Sequence, residues 1–404
     1  MTSTDGPLVT GLGMATRAGL GTAAAWAAAA AGANPAPVAD PTLTRLPWPY
    51  THRVPHGLVE QALGTAESWR HDRFTQLALV AATEALADAG LDPAHWTGDR
   101  VGVVCGTAFG GVTTITEQQH ELDASGSRFV SPYLLPKSMP NMVAGILALT
   151  FGARGPCLVT ASASASGLTA IGVAAAFLRS GACDLVLTGG ADSALTPLCI
   201  AGLGQINVLA PDGICRPFSP DRAGFVPAEG AAILVLERPD HARARGARPL
   251  ARVAGFGSTA DAHHPLMPEP AGAGLAAAIR AALHDAEAVP EQIDLVHAHG
   301  TGTPAGDAAE ARAIAAVLGP DVPVTTAKPY IGHAFGASGA ISAALAILGM
   351  TRSETFTLPD PFTPDPALPV IPLSGGLRPH HVRSALCQAI GFGGHNTALL
   401  LTEI

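Results

Sequence analysis

Three short segments of the chain combine small residues with side chains that could carry acyl-transfer chemistry. Residues 155–168 run from an apolar stretch into a turn rich in Ala and Ser, and then into an apolar helical pattern. His299 and His333 each lie in a Gly-rich turn further along the chain. A serine with a histidine nearby could accept an acyl group, and neutral imidazoles could donate N–H groups to a developing oxyanion. The sequence therefore predicts one nucleophile turn and two histidine turns.

The nucleophile turn is predicted to open a helix, and this limits what each nucleophile could do there. A helix N-terminus carries unpaired N–H groups and a partial positive charge, which would hold a cysteine as its thiolate. The same dipole cannot ionise a serine hydroxyl near neutral pH, so a serine would need a general base beside it. An oxygen ester is also a poorer acyl donor to a carbanion than a thioester. We therefore expect weak condensing chemistry from a serine in this turn.

These turns need a rigid frame, and the hydrophobic pattern predicts an α/β fold that supplies one. Short apolar runs alternate with Ala-rich helical stretches along the whole chain. Glycine and proline separate these elements and do not cluster into a linker. The clearest predicted strands are residues 100–105, 184–188 and 231–237, and the clearest predicted helix is 74–90.

A basic turn at residues 243–249 is the best candidate for a boundary between two halves. It follows one predicted strand and precedes another at 250–257. We therefore predict an N-terminal half, residues 1–245, that carries the nucleophile turn. The C-terminal half, residues 246–404, would carry both histidines and a Gly-Phe-Gly-Gly loop. No strong sequence repeat relates the two halves.

Composition narrows the possible functions. With 404 residues, 48% of them hydrophobic and 14% charged, the chain is long enough for a large core or for two packed halves. The net charge of −9 argues against nucleic acid as a partner, because phosphate binding needs a basic surface. No uninterrupted apolar stretch reaches about 18 residues, so no membrane span is expected.

The six cysteines indicate a reducing compartment. They form neither a CxxC pair nor a ladder of spacings, which argues against a zinc site and against a disulfide framework. Cysteines scattered through apolar runs are predicted to be core residues. Residues 23–31 resemble a signal segment only superficially, because no basic start precedes them, and they are predicted to form a helix. We expect a cytoplasmic protein without a metal.

Several further motifs occur in the order found in a known family. They are residues 131–133 leading into 141–145, the turn 189–192, residues 216–218, residues 224–230 and the loop 391–396. Together with the nucleophile turn and both histidines, they resemble the β-ketoacyl synthase family of the thiolase superfamily over nearly the whole chain. The resemblance is to the elongating kind of type II polyketide and fatty acid synthase. It implies a thiolase fold, in which duplicated βαβαβαββ halves form five αβαβα layers.

The resemblance implies a role for each residue of the three turns. Ser164 falls at the nucleophile position, counted from either side of the motif, where the family carries Cys. His299 and His333 would bind the malonyl carboxylate or its breakdown product and stabilise the enolate. Lys328 would orient a site histidine through hydrogen bonds. The family usually carries Glu at the position of Ser342, so an acidic partner of Lys328 is predicted to be missing.

Further residues are expected around the pocket. Thr301 and Thr303 would hydrogen-bond the amides of a phosphopantetheine arm, the carrier-protein group that delivers the substrate, and no permanently bound cofactor is expected. Phe392 would gate the acyl pocket, and its N–H would form an oxyanion hole with the N–H of the nucleophile. Ile390 stands where the family often has Phe. Cys157 would lie in the strand before the turn and is predicted to be a core residue.

Three functions fit these residues. The first is the β subunit of a type II ketosynthase heterodimer, a chain length factor, which lacks the cysteine of its catalytic partner. The second is a catalytic protein that uses Ser164, either an acyltransferase or a decarboxylase of malonyl carrier protein. The third is a ketosynthase whose Cys has been replaced deliberately by Ser. We favour the first, although many such subunits also lose the histidines. The expected partners are an acyl carrier protein and a Cys-bearing ketosynthase subunit, or a second copy of this chain.

Overall fold

The computed structural model describes residues 6–404 and contains one large mixed sheet. The strands are β1 (Leu8–Thr16), β2 (Gly19–Leu20), β3 (Val101–Gly106), β4 (Cys157–Thr160), β5 (Leu185–Asp192), β6 (Gly230–Glu237), β7 (Ala251–Ala260), β8 (Leu295–His297), β9 (Val324–Thr325), β10 (Glu354–Thr355), β11 (Arg378–Pro379), β12 (Ser384–Gly391) and β13 (His395–Thr402). The main sheet has the order β4-β3-β5-β6-β1-β7-β13-β12-β8-β9, with β2 paired to β1. Strands β10 and β11 form a separate two-stranded ribbon.

The sheet has parallel ends and an antiparallel centre. Strands β4, β3 and β5 are parallel, and so are β12, β8 and β9. Each pair from β5 across to β12 is antiparallel. The two ends join where β1 pairs with β7 through Leu8–Arg252 and Val9–Ala251. The sheet therefore runs across the predicted boundary at 243–249, which lies in the connection from β6 to β7, and the division into two domains stays a prediction.

Helices cover both faces of each half of the sheet. They are α1 (Thr22–Ala30), α2 (Leu58–Leu63), α3 (Thr65–Ser68), α4 (Arg73–Asp88), α5 (Val112–Ser125), α6 (Leu134–Ser138), α7 (Met142–Phe151), α8 (Ser166–Arg179), α9 (Pro197–Gln205), α10 (Pro239–Ala244), α11 (Ala273–Asp285), α12 (Pro304–Leu318), α13 (Lys328–Ile331) and α14 (Ser338–Arg352). Helices α8 and α14 pack together between strands of the two halves. Helices α4 and α7 lie outside the N-terminal strands, and α11 and α12 lie outside the C-terminal strands. These αβαβα layers confirm the predicted thiolase fold.

Helix α14 is buried on nearly all sides, which explains its composition. A helix that contacts protein all round has no polar face, so small and aliphatic residues fill it. The stretch Phe335–Arg352 is accordingly long and apolar enough to cross a membrane by composition, but 83% of it is buried inside the protein. Burial of this degree is what a core helix shows, and helix α14 therefore gives no support to a membrane span.

The predicted elements are confirmed, with two boundary errors, because β5 and β7 both end later than predicted, β7 at Ala260 and not at residue 257. Strands β3 and β6 and helix α4 lie within about two residues of the predicted ranges. Strand β5 continues past the predicted end at residue 188 through Gly189 and Gly190. A side chain at Gly189 would collide with the carbonyl oxygen of Ala232 on β6, so glycine marks close packing here and not a turn.

The prediction that Cys157 is a core residue is wrong. Four cysteines, 105, 183, 215 and 387, are buried as predicted, and Cys199 is partly buried. Cys157 does lie in a strand, but that strand is β4 at the edge of the sheet, and its side chain is exposed. The edge position follows from the strand order, which a local apolar run does not reveal.

Candidate active site

Ser164 lies in a tight turn between strand β4 and helix α8. The turn, Ala163–Ala165, is one turn of 3₁₀-helix and begins with Ala163 in the left-handed region at φ 50°. The Ser166 hydroxyl accepts a hydrogen bond from the Ser162 N–H (2.9 Å) and donates one to the Ala163 carbonyl (2.6 Å). These bonds hold the turn in place, and Ser164 lines the large cavity beside it.

His333 approaches Ser164 from the other half of the chain. Its Nε2 lies 3.0 Å from the Ser164 Oγ, and its Nδ1 lies 2.9 Å from the Ser338 Oγ. The backbone N–H of His333 donates to the Val226 carbonyl (2.8 Å). The imidazole ring packs edge to face on Phe225, with 4.6 Å between the ring centroids. Burial lowers the pKa of His333 well below its ordinary value, so the imidazole is neutral. A neutral imidazole at this distance has the geometry that a general base beside a serine requires.

His299 stands next to His333, with 5.3 Å between the ring centroids. The Lys328 ammonium donates to the His299 carbonyl (2.7 Å) and lies 3.4 Å from its Nδ1. Burial lowers the pKa of His299 well below its ordinary value, and the charge of Lys328 lowers it further. Two neutral imidazoles therefore lie side by side, which suits N–H donation to an anionic oxygen.

The acidic group that acts on Lys328 comes from helix α12. Glu310 is buried, and its carboxylate accepts hydrogen bonds from the backbone N–H groups of His299 (2.6 Å) and Gly300 (2.8 Å). Burial lowers the pKa of Lys328 to about 8, while the charge of Glu310 opposes that change. Burial also raises the pKa of Glu310 to about 7. Ser342 leaves the family's acidic position without a carboxylate, as the sequence predicted, and the charges of Glu310 and Asp307 on helix α12 act on Lys328 from a distance.

Thr301 and Thr303 lie on the cavity wall directly before helix α12. Their hydroxyls are 2.9 Å apart, and Thr301 is buried while Thr303 is partly exposed. Phe392 lies at the cavity too and is 38% exposed. A side chain at Gly391, directly before it, would come within 2.5 Å of the Ser162 carbonyl oxygen, so the Gly-Phe-Gly-Gly loop packs tightly on the nucleophile turn.

The cavity has a volume of about 450 Å³ and brings together all the predicted site residues except Lys328. Lys328 stands behind His299 and reaches the cavity only through it. Apolar side chains form most of the remaining wall. Those that matter for its shape are Phe109, Leu203, Val208, Met267, Phe335 and Ile390. An apolar pocket with a few convergent polar groups at one end suits an acyl chain attached to a polar reacting group.

Comparison with known proteins agrees with this geometry. Residues 59–242 match the family described as "Beta-ketoacyl synthase, N-terminal domain", and residues 250–357 match "Beta-ketoacyl synthase, C-terminal domain". The 3-oxoacyl-[acyl-carrier-protein] synthase 2 of Staphylococcus aureus (strain COL) is 37% identical over 352 residues, which cover 85% of each chain.

The chain belongs to the β-ketoacyl synthase family.

Two solved structures cover nearly all of this synthase-family chain. The ishigamide ketosynthase/chain length factor superposes with a TM-score of 0.93 at 29% identity, covering 99% of both chains. A type II polyketide synthase acyl carrier protein in complex with its ketosynthase, bound to the hexaketide, gives 0.91 at 26% identity, covering 99% of this chain and 100% of the other. The family and its thiolase fold are therefore shown, while the roles of the individual site residues stay predictions.

Two acidic residues of this ketosynthase-family site were missed by the sequence reasoning. Glu310 is described above, and Asp192 at the end of β5 is the second. The Asp192 carboxylate accepts the N–H groups of Ala108 (2.7 Å) and Gly336 (2.7 Å) and the Thr107 hydroxyl (2.8 Å). Burial raises its pKa to about 6. The sequence signal that could have identified Asp192 is an acidic residue at the end of a buried strand. The signal for Glu310 is an acidic residue on the apolar face of helix α12.

Proposed function

We propose that this chain is a ketosynthase-like subunit of a type II polyketide or fatty acid synthase. In this proposal it acts as the chain length factor partner of a Cys-bearing ketosynthase, which performs the decarboxylative condensation of acyl and malonyl carrier proteins. The observation that carries the proposal is the Ser164 hydroxyl at the position where condensation needs a thiolate. Neutral histidines beside it can assist proton transfer but cannot give the oxygen the leaving-group quality of a thiol. A cytoplasmic location is part of the same proposal.

Exposed apolar surface beside strand β4 supports a partner subunit. Strand β4 is a free sheet edge, and such edges are usually paired or covered. Leu149 is 77% exposed on α7, a helix that packs on β4, and Leu135 is 61% exposed on α6, which contacts α7; Cys157 of β4 is exposed as well. Exposed apolar residues that cluster on a surface mark interaction sites. The similar ishigamide structure is a ketosynthase/chain length factor. This similarity favours a heterodimer over a homodimer for the present chain.

The cavity supports delivery of substrate on a phosphopantetheine arm. Hydroxyls of Thr301 and Thr303 offer donors and acceptors to the amides of the arm, and the apolar wall suits the acyl chain. The arm belongs to the acyl carrier protein and is a substrate carrier, so the proposal includes no permanent cofactor. The carrier-protein complex among the similar structures is in keeping with this partner.

Reconstitution tests the proposal. Acyl and malonyl carrier proteins are incubated with the chain alone, and with the chain plus a Cys-bearing ketosynthase. We expect β-ketoacyl product only in the second case, and unchanged flux when Ser164→Ala replaces the wild-type subunit. Product formed by the chain alone at synthase-like rates would overturn the proposal.

The partner surface has its own test with a matched control. Leu149→Glu places a charge on the exposed α7 surface and should weaken association, as measured by light scattering of the mixed subunits. Ile371→Glu changes a residue of similar exposure, 71%, on the loop between β10 and β11, and it should leave association intact. Equal effects of both variants would count against a partner at β4.

A second candidate function is acylation of Ser164 itself, by an acyltransferase or a malonyl decarboxylase. The 3.0 Å contact between Ser164 Oγ and His333 Nε2 favours it, because a serine beside a neutral imidazole can form an acyl ester. The test is the intact mass of the protein after incubation with acyl carrier protein substrates. An acyl adduct absent from Ser164→Ala would support this function, and an unmodified mass would support the first.

A further inference from the structure

The His333 imidazole is held between two serine hydroxyls. Nε2 lies 3.0 Å from the Ser164 Oγ, and Nδ1 lies 2.9 Å from the Ser338 Oγ. Ser338 is the first residue of helix α14 and is only 5% exposed. It has no part in the site that the sequence motifs predict, yet it makes the second contact to the ring.

Hydroxyl partners differ from the groups that usually orient a histidine. A carboxylate or a carbonyl only accepts, and a backbone N–H only donates, so each of them fixes one tautomer of the ring. A hydroxyl can do either by rotating its hydrogen. With a hydroxyl at each nitrogen, both neutral tautomers of His333 have two satisfied hydrogen bonds.

The surroundings hold the ring still, whichever nitrogen carries the proton. Phe225 packs edge to face on the imidazole at 4.6 Å between centroids, and Phe335 lies at 5.3 Å. The backbone of His333 is tied to Val226 on the same side. Burial keeps the ring neutral. The orientation of His333 is therefore fixed, and its tautomer is the remaining freedom.

We propose that Ser338 is a positioning residue that lets His333 adopt either neutral tautomer without turning its ring. With the proton on Nδ1, Nε2 is free to act as a base toward Ser164. With the proton on Nε2, the same nitrogen donates to an oxygen of a ligand in the cavity. Ser338 accepts from Nδ1 in the first form and donates to it in the second.

Each tautomer serves a different step. In acylation, the Ser164 Oγ bonds to the thioester carbonyl carbon and its proton moves to Nε2. The C–S bond then breaks, and that proton passes to the leaving thiolate. In decarboxylation of a malonyl thioester, the bond to the carboxylate breaks, CO₂ leaves, and the electron pair forms an enolate whose oxygen accepts the Nε2–H. The acylation and decarboxylation steps rest on the second candidate function above, whereas the presence of both tautomers does not.

Removal of the Ser338 hydroxyl should favour one tautomer. In Ser338→Ala, Nδ1 faces a buried apolar methyl group. A buried N–H without a partner is less tolerable than a bare lone pair, so the proton should move to Nε2. Ser164 then loses its base, while the N–H donor remains.

Nitrogen NMR of histidine-labelled protein measures this directly, with the His333 signals assigned from a His333→Asn variant. We expect exchange-averaged shifts for both His333 nitrogens in the wild type, and a protonated Nε2 with a bare Nδ1 in Ser338→Ala. Ser338→Thr should restore the averaged shifts. Ser342→Ala, another buried serine on α14, is the control and should leave them unchanged. Identical shifts in the wild type and in Ser338→Ala would overturn the proposal.

A chemical readout accompanies the spectra and separates the two hypotheses. A fluorophosphonate probe forms an Oγ–P bond at an activated serine as the P–F bond breaks, and the intact mass reports the adduct. If the wild type is labelled, Ser338→Ala should slow the rate by about tenfold and Ser338→Thr should restore it. An unchanged rate in Ser338→Ala would contradict the proposal. If the wild type is not labelled, acylation of Ser164 fails, and the NMR shifts alone decide whether both tautomers are present.

Discussion

The nucleophile turn and the second histidine turn have the same backbone plan. Each contains one turn of 3₁₀-helix whose first residue is a non-glycine in the left-handed region, Ala163 at φ 50° and Phe335 at φ 45°. Each then opens a central helix with Ser-Gly, at Ser166 in α8 and at Ser338 in α14. The two turns also pack together, since a side chain at Gly167 would come within 2.7 Å of the Gly336 carbonyl oxygen.

The difference between the turns lies in what each serine and its neighbours do. The Ser166 hydroxyl bonds its own turn and so builds the loop, whereas the Ser338 hydroxyl bonds the His333 ring. At the place of Ser164, the other turn has Gly336, whose N–H is bound by Asp192. One backbone plan therefore presents the Ser164 hydroxyl in one half and holds the His333 ring beside it from the other.

Ser164→Cys should change the nucleophile turn most. A thiol ionises more readily than a hydroxyl, and the N-terminus of α8 favours the thiolate. At pH 7 we expect alkylation by iodoacetamide at position 164 to be at least about a hundredfold faster than in the serine protein. Intact mass measures this in a Cys157→Ala background, which removes the exposed thiol. A rate no faster than that of the buried Cys387 would show that this turn does not activate a thiol.

Gly336→Ala tests the corresponding position in the histidine turn. The added methyl group would lie 2.6 Å from the Asp192 carboxylate and 2.7 Å from the Ala108 nitrogen, both of them fixed by hydrogen bonds. We expect the free energy of unfolding in urea to fall by about 3 kcal/mol. Ser164→Ala, the matched change in the other turn, should alter it by less than about 0.5 kcal/mol. Similar losses of unfolding free energy at both positions would mean that Gly336 and Ser164 matter equally for stability.

Ser166 and Ser338, the first residues of helices α8 and α14, should differ less in their contributions to stability than Gly336 and Ser164 do. Ser166→Ala removes a hydroxyl that is bonded to the Ser162 N–H and to two carbonyls, and it should cost about 2 kcal/mol of unfolding free energy. Ser338→Ala removes one bond to His333 and should cost about 1 kcal/mol. Urea titration at pH 7 measures both values. The reverse order would contradict the division between a loop-building serine and a ring-holding serine.

The stability contributed by the histidine turn should depend on pH, unlike that of the nucleophile turn, because the buried Lys328 begins helix α13 just before the histidine turn. Its pKa of about 8 is below the unfolded value, so above pH 8 the unfolded chain binds more protons. Stability from this lysine should therefore rise with pH, by about 1 kcal/mol per unit between pH 8 and 10. Comparison with Lys328→Met by urea unfolding isolates the effect, and Lys137→Met on α6 is the control. A constant difference between the wild type and Lys328→Met would contradict it.

Much of the frame could be predicted because local pattern decides it. Apolar runs gave β3, β6 and α4, and ordered motifs gave the thiolase layers. The same motifs selected Ser164, His299 and His333, which the structure brings to one cavity. Glycine-rich turns are strongly constrained in sequence, so their positions are visible without the fold.

Features that depend on neighbours distant in sequence could not be predicted. Cys157 is exposed because strand order places β4 at the edge, and the residues of β4 look like those of an inner strand. The charge of Glu310 acts on Lys328, which lies 18 positions later in the chain, whereas the sequence prediction considered only Ser342. The role of Ser338 depends on the direction of one imidazole, which no pattern of residue types specifies.

The order in which the sheet is assembled has a consequence for synthesis on the ribosome. Strand β1 emerges first, but its partners β6 and β7 follow only more than 200 residues later. Ser164 emerges well before His299 and His333, and the loop that packs on its turn begins at Gly391, more than 220 residues after Ser164. A nascent chain therefore cannot present a complete pocket to any acyl thioester before residues 391–394 have been synthesised. Products that end before residue 333 would lack the imidazole that contacts Ser164.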